Sequence, residues 1–325
     1  MYRTEGFMLT ILTKVFVIFA IIFIGILASR LRILPAESNK YLVDLLILIT
    51  SPCMILHAMA TKKLNPHLIS DTFQTLTLST AFFILAPLFS LLAVKIMHHT
   101  PPEDIGLMTV IMTAVNSGFM GFPVTKALFG DYIFFLIVIA NIPLNVYLYF
   151  TAVFQMNIGK TNDYNLKKIL KSMLNPCIVA ATAGCVILFL DVNLPDPFLE
   201  FLSTIGDASI PLSMLIVGVQ LADNNAVSIL KNRDLLKASL INLLLIPAVT
   251  FLAVNWLPVS GGAKLTVVFS ASFPCAVSTV SVAAKEGHNA DLAAEGVALT
   301  TTLSLITLPT VGRSEERRVG KECRS

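Results

Sequence analysis

The sequence predicts an all-helical integral membrane protein of about ten transmembrane helices arranged as two inverted five-helix repeats, and three observations carry that prediction. Hydrophobic residues make up 55% of the 325 positions and charged residues only 13%, against about 25% charged in an ordinary soluble chain. Mean hydropathy is +0.80. Apolar stretches long enough for a hydrocarbon core, which takes about 20 residues per helix, recur with little polar sequence between them, so no soluble domain is expected.

The first stretch is Phe7–Ala28. Arg3 and Lys14 also fit the charged start of a cleaved leader, and Met8 offers a second start. The repeat described below makes this stretch a helix of the fold. Tyr41–Met59 and Thr72–Met97 follow, with Pro52 and Pro87 inside them. Gly106–Thr125 carries two glycines, an asparagine and a proline close together, and Tyr132–Met156 closes the first half. The second half holds Leu174–Leu190, Phe198–Leu221, Leu235–Leu257, Leu265–Ala284 and Leu292–Thr310. The stretches are apolar all round, as buried or lipid-facing helices are. Barrel strands would alternate and be about half as long.

The chain repeats at an offset near 160. Leu34-Pro35 answers Leu194-Pro195, Pro52 answers Pro211, Pro87 answers Pro247, Ala93-Val94 answers Ala253-Val254, and Asp131 answers Asp291. Five crossings per half make the second half enter from the opposite side, so the halves are inverted, an arrangement common in secondary transporters. The domain reading is a first repeat over 1–156, a cytoplasmic linker over 157–173, a second repeat over 174–312 and a tail over 313–325.

With the N-terminus outside, twelve Lys and Arg fall on the cytoplasmic side, among them Lys160, Lys167, Lys168, Lys171 and Lys231. Six, including Lys126, fall outside. The positive-inside rule favours that orientation and a multi-pass protein of the cytoplasmic membrane. The tail RSEERRVGKECRS resembles the translation of a sequencing-adapter read, so the tenth helix is expected to be truncated. The tail holds five of the 23 Lys and Arg and three of the 20 Asp and Glu; without it the net charge falls from +3 to +1. That balance gives no basic signal for nucleic acid.

The candidate binding site lies at two predicted helix breaks. Asn116-Ser117-Gly118-Phe119-Met120-Gly121-Phe122-Pro123 interrupts the fourth span, and Ser272-Phe273-Pro274-Cys275 interrupts its counterpart, the ninth. Proline lacks an N–H and clashes with the preceding turn, yet suits the start of a new half-helix. Paired interruptions in corresponding helices are a pointer to a transporter site. Freed N–H groups and the helix dipole favour an anion, and Asn116 brings hydrogen bonds without charge. Freed carbonyls would suit a cation equally.

Among acids, Asp207 stands near the middle of the seventh span, where an isolated charge costs about 2.5–3.5 kcal/mol. It is a coupling-ion candidate or an acid paired with a neighbouring helix. Asp71 is a second candidate, with a helix N-cap as the simpler reading. His57, His67, His98, His99 and His288 are scattered without metal spacing, with His98 and His99 at a membrane boundary. Cys53, Cys177, Cys185 and Cys275 read as small buried hydrophobes. No metal or cofactor is expected.

The fourth span, TAVNSGFMGFPVTKALFGD, resembles the crossover helix of the auxin efflux carrier family. AAKEGHNADLAAEGVALTTTLSLITLP resembles that family's helices nine and ten, and Ile69-Ser70-Asp71-Thr72 the start of its third. The resemblance covers nearly all of residues 8–311. It implies inverted repeats with crossed, broken helices four and nine, carriage of organic anions and a possible homodimer. It carries the binding positions to Asn116 and the Pro274 region, with Asn145 a neighbour on helix five, and adds a supportive acid at Asp71. The candidate substrate set is therefore Asn116, Ser117, Gly118, Gly121, Pro123, Asn145, Pro274 and Cys275. Val115 replaces a proline frequent in plant members, and a long central hydrophilic loop is lacking; both point away from auxin, towards a bacterial-type carrier of a mono- or dicarboxylate. A sodium-coupled symporter of the bile-acid type is the nearest alternative. A channel would more often show charge rings or a carbonyl filter, and no hydrolase, P-loop or dinucleotide motif supports an enzyme.

Overall fold

The computed structural model describes residues 2–35, 38–63, 65–97, 100–157, 176–223 and 232–322. Most of the linker read over 157–173, together with Lys231, His98, His99 and the last three residues, lies outside them. The regular elements described are all helical: α1 (Tyr2–Arg30), α2 (Ser38–Ala60), α3 (Pro66–Ile96), α4 (Ile105–Thr113), α5 (Ser117–Met156), α6 (Pro176–Phe189), α7 (Asp196–Ala222), α8 (Arg233–Asn255), α9 (Gly261–Ala271), α10 (Ser278–Lys285) and α11 (Ala290–Glu322). Six of these contain stretches long and apolar enough to cross a membrane: α2, α3, α5, α7, α8 and the Ala290–Leu308 part of α11.

One of the six is longer than a crossing requires. The 40 residues of α5 would extend about 60 Å at helical rise, twice a hydrocarbon core of about 30 Å. Gly130 interrupts them at φ 77° and ψ −171°, a conformation open to glycine and costly for other residues. The fourth and fifth predicted spans meet there.

Helix starts follow local chemistry. Asn65, Asn232, Ser260 and Asn289 each accept a hydrogen bond from the backbone N–H three residues on, at 2.8, 3.2, 3.2 and 3.0 Å, capping α3, α8, α9 and α11. Asp71 is therefore not the cap of α3. The helix begins six residues before the predicted Thr72, and Asp71 lies buried in its second turn. The sequence reading missed this because His67 and Asn65 broke the apolar run, although Asn-Pro is itself a strong helix-start signal.

Backbone features recur at the offset seen in the sequence. Arg32 (φ 59°) and Asp191 (φ 49°), 159 positions apart, are the positive-φ non-glycine residues among those described. Each ends its helix in the same way. Ile33 N–H donates to Ala28 O at 2.9 Å, and Val192 N–H to Ile187 O at 3.1 Å, the long bond of a left-handed C-cap. Gly130 (φ 77°) and Gly287 (φ 69°), 157 apart, form a second pair.

The helices gather into two units, and each draws on both halves of the chain. The first comprises Met1–Leu64, Gly118–Phe135 and Val179–Asn224; the second comprises Asn65–Ser117, Leu136–Ile178 and Asn225–Ser325. Within the first, glycines let backbones touch. A Cβ on Gly25 of α1 would lie 2.6 Å from Leu215 O and 3.0 Å from Gly218 Cα of α7. Gly206 of α7 meets Met54 of α2 in the same way, with a built Cβ 2.7 Å from Met54 Cα. Such small-residue contacts bring helices together where lipid removes any hydrophobic drive. In the second unit α4 and α9 are buried on nearly every side, while Leu88 and Leu92 of α3, Leu252 of α8 and Trp256 just after it face outward, a surface suited to hydrocarbon.

The close approach of α1 and α7 makes a testable contrast. Gly25→Leu should cost about 1–3 kcal/mol through overpacking and lower the thermal midpoint of the detergent-purified protein. Gly118→Ala should leave that midpoint unchanged, because a Cβ there meets no heavy atom within 4 Å.

Candidate functional site

The second unit is organised around two interruptions that pair with each other. Helix α4 stops at Thr113, Ala114 turns extended at φ −77° and ψ 96°, and helical structure resumes with a π-turn over Ser117–Gly121. Helix α9 stops at Ala271 and α10 begins at Ser278. Between them Val115 and Cys275 form an isolated antiparallel bridge. Asn116 N–H donates to Pro274 O at 2.8 Å and Ala276 N–H to Ala114 O at 2.7 Å. The bridged residues stand 160 positions apart, the repeat offset itself, and the two bonds exchange places under that offset.

The interruptions leave few backbone groups unsatisfied, as a membrane interior demands. Val110 O accepts from Ala114 N–H at 2.8 Å. Met112 O accepts from Asn242 Nδ2 of α8 at 2.6 Å. Cys275 N–H donates to Thr300 Oγ1 of α11 at 3.0 Å. The side chains around the bridge are polar but neutral. Ser117 Oγ donates to Asn141 Oδ1 at 2.5 Å, and Asn145 Nδ2 donates to Asn141 O at 2.7 Å. Asn116, Ser117 and Asn145 are buried. Deeper in the unit, Tyr147 hydroxyl joins Thr113 Oγ1 and donates to Gln155 Oε1 at 3.1 Å. At the end of α5, Asn157 Nδ2 donates to Glu286 Oε2 at 3.1 Å, and its Oδ1 lies 3.4 Å from His288 Nε2. This fastens the Gly287 turn that follows α10.

Of the residues singled out in the sequence, Asn116, Ser117, Pro274 and Cys275 meet at the bridge, and Asn145 reaches Ser117 through Asn141. Gly118, Gly121 and Pro123 follow along the chain in the first unit. Asn141, Asn242 and Thr300 were missed. Asn141 and Asn145 were legible as an i, i+4 amide pair on one face of an apolar helix; Asn242 was legible only as an isolated polar residue in such a run.

Asp207 does not stand alone. In the first unit Lys126 Nζ lies 2.6 Å from Asp207 Oδ1, and Ser203 Oγ donates to Oδ2 at 3.3 Å. Lys126, which charge counting placed in an outer loop, is a helical residue one turn beyond Pro123. Its side chain is 14% exposed and that of Asp207 57%. The two are 81 positions apart, too far for local pattern to connect.

Residues 10–311 match a family described as membrane transport protein. The chain is also 24% identical, over 308 residues, to an uncharacterised transporter of Methanocaldococcus jannaschii, a match covering 90% of this chain and 95% of that protein.

Asn242 is expected to hold the end of α4 in place. Asn242→Leu leaves the buried Met112 carbonyl without its donor, a loss of about 1–3 kcal/mol, and should lower the midpoint of thermal unfolding in detergent. An unchanged midpoint would show that the carbonyl finds another donor.

Proposed function

Because the chain belongs to the membrane transport protein family, that of the auxin efflux carriers, we propose that it is a secondary carrier moving a small organic anion, a mono- or dicarboxylate, by alternating access. The bridge between the two broken helices carries this reading. It brings together the two places where helical hydrogen bonding lapses, and broken helices at a repeat interface are where carriers hold substrate.

Three features support an inverted-repeat architecture. The bridge joins residues one repeat apart, the helix-ending pair Arg32 and Asp191 recurs at nearly that spacing, and so do Gly130 and Gly287. Counting α5 as two crossings divided at Gly130, with α4 joined to its first part and α9 joined to α10, gives ten. Lys126, drawn into the ion pair, leaves the outer-loop tally, which strengthens the charge bias for an outside N-terminus.

The hydrogen-bond accounting favours an anion over sodium. Three carbonyls that a cation would draw on each already accept one hydrogen bond, Pro274 O from Asn116, Ala114 O from Ala276 and Met112 O from Asn242. The amides of Asn116, Asn141 and Asn145 can supply donors without bringing negative charge to the site. A carboxylate entering there gains charge-assisted hydrogen bonds.

Asn116→Ala should weaken carboxylate binding by roughly ten- to a hundred-fold, the equivalent of about 1.5–3 kcal/mol for a bond to a charged group, while the purified protein stays folded. Uptake of labelled L-malate and of a panel of monocarboxylates into proteoliposomes measures this, with proton and sodium gradients imposed separately. Uptake that needs sodium would favour the bile-acid type of symporter. Unchanged binding in the variant would remove Asn116 from the site.

A further inference from the structure

The first unit contains a charged cluster that the neutral site of the second unit does not use. Lys126 Nζ is bonded to Asp207 Oδ1 at 2.6 Å, and Ser203 holds the other carboxylate oxygen at 3.3 Å. His57 of α2 lies within electrostatic reach of Lys126, Asp207 and Asp131, and its Nδ1 is buried without a partner among the described residues. The charged and titratable groups gathered here are thus Lys126 and Asp131 from α5, His57 from α2 and Asp207 from α7. Lys126 is the more enclosed member of the ion pair and Asp207 the more open one.

We propose that Lys126 is an anion-binding group whose resident counter-ion is Asp207, so that a substrate carboxylate and Asp207 exchange on one ammonium and the displaced Asp207 takes up a proton. This rests on the reading of the protein as an organic-anion carrier and adds to it a coupling ion and the residues that bind it.

The physical argument is one of charge balance. A lysine this enclosed is costly without a counter-charge, and Asp207 supplies it at rest. A substrate carboxylate can replace Asp207 on Lys126 with the same charge. Asp207 then becomes an acid without its cation in a membrane-spanning helix, where a charge costs about 2.5–3.5 kcal/mol. Taking up a proton removes that charge. One proton passes from water to the Asp207 carboxylate, Lys126 remains an ammonium throughout, and anion and proton are bound together. On release the steps reverse: Asp207 gives up its proton and returns to Lys126.

Linkage fixes the sign. If binding takes up one proton, affinity rises as pH falls, by up to tenfold per unit. The test uses the purified full chain with L-malate as probe, titrated calorimetrically between about pH 6.5 and about pH 8.5, where ordinary carboxyls with pKa values near 4 are ionised. Wild type should bind more tightly at the lower pH and take up protons from the buffer on binding. Asp207→Asn should bind at every pH at least as tightly as wild type at the lowest, with no proton uptake. Lys126→Gln should lose at least tenfold in affinity throughout, while Lys126→Arg should retain it. The double variant Lys126→Gln with Asp207→Asn leaves no unpaired charge, should fold, and should bind as weakly as the single lysine variant.

A wild-type pH slope in Asp207→Asn, or full affinity in the double variant, would overturn the proposal. If Asn116→Ala abolishes binding while the Lys126 variants do not, the exchange alone falls and the anion-carrier reading stands. If neither L-malate nor any monocarboxylate of the panel binds wild type, both fall.

Discussion

The two backbone hydrogen bonds that join Asn116 to Pro274 and Ala276 to Ala114 solve a problem that would otherwise forbid this fold. In hydrocarbon, each backbone group outside a helix must find a partner or cost several kcal/mol. A single broken helix exposes such groups; two broken helices meeting antiparallel satisfy each other. Neighbouring helices complete the arrangement, with Asn242 covering Met112 O and Thr300 receiving the Cys275 N–H. The break is thereby stabilised from α8 and α11, and substituting either support would disturb it.

The two units handle polarity in different ways. In the second, the hydroxyls and amides at the breaks are neutral and largely hydrogen-bonded to one another. In the first, charge is balanced internally between Lys126 and Asp207. Glycines let backbones touch in both: Gly25 of α1 against α7 in the first unit, and Gly106 of α4 in the second, where a built Cβ would collide with Gln155 O.

Much of the helical content was legible because about 20 apolar residues in a row have few other uses. Pro123, Pro274 and their neighbours announced the breaks through missing N–H groups and conformational freedom, and the offset near 160 reappeared in the bridge between Val115 and Cys275. What stayed hidden depended on distant contacts. Nothing near Asp207 in sequence marks Lys126 as its partner, and nothing near Met112 marks Asn242. Asp71 was misread because an acid at the edge of an apolar run resembles a cap, whereas Asn65 had the better geometry and Pro66 the better signal. The left-handed C-caps at Arg32 and Asp191 escaped notice because that conformation is usually reserved for glycine.

The pairing of the two breaks can be measured directly. Opposed residues in an antiparallel pair lie about 4.5–5.5 Å apart at Cα, within the range a disulfide spans. Replacing Val115 with cysteine against the native Cys275, with the other cysteines removed and a protease site inserted at Asn162 between them, allows the link to be read on a gel. If the breaks pair as described, mild oxidation will hold the two proteolytic fragments together until reductant is added, and a cysteine at Leu107 in place of Val115 will not. Fragments that separate without reductant after oxidation of the Val115→Cys protein would contradict the pairing of the two breaks.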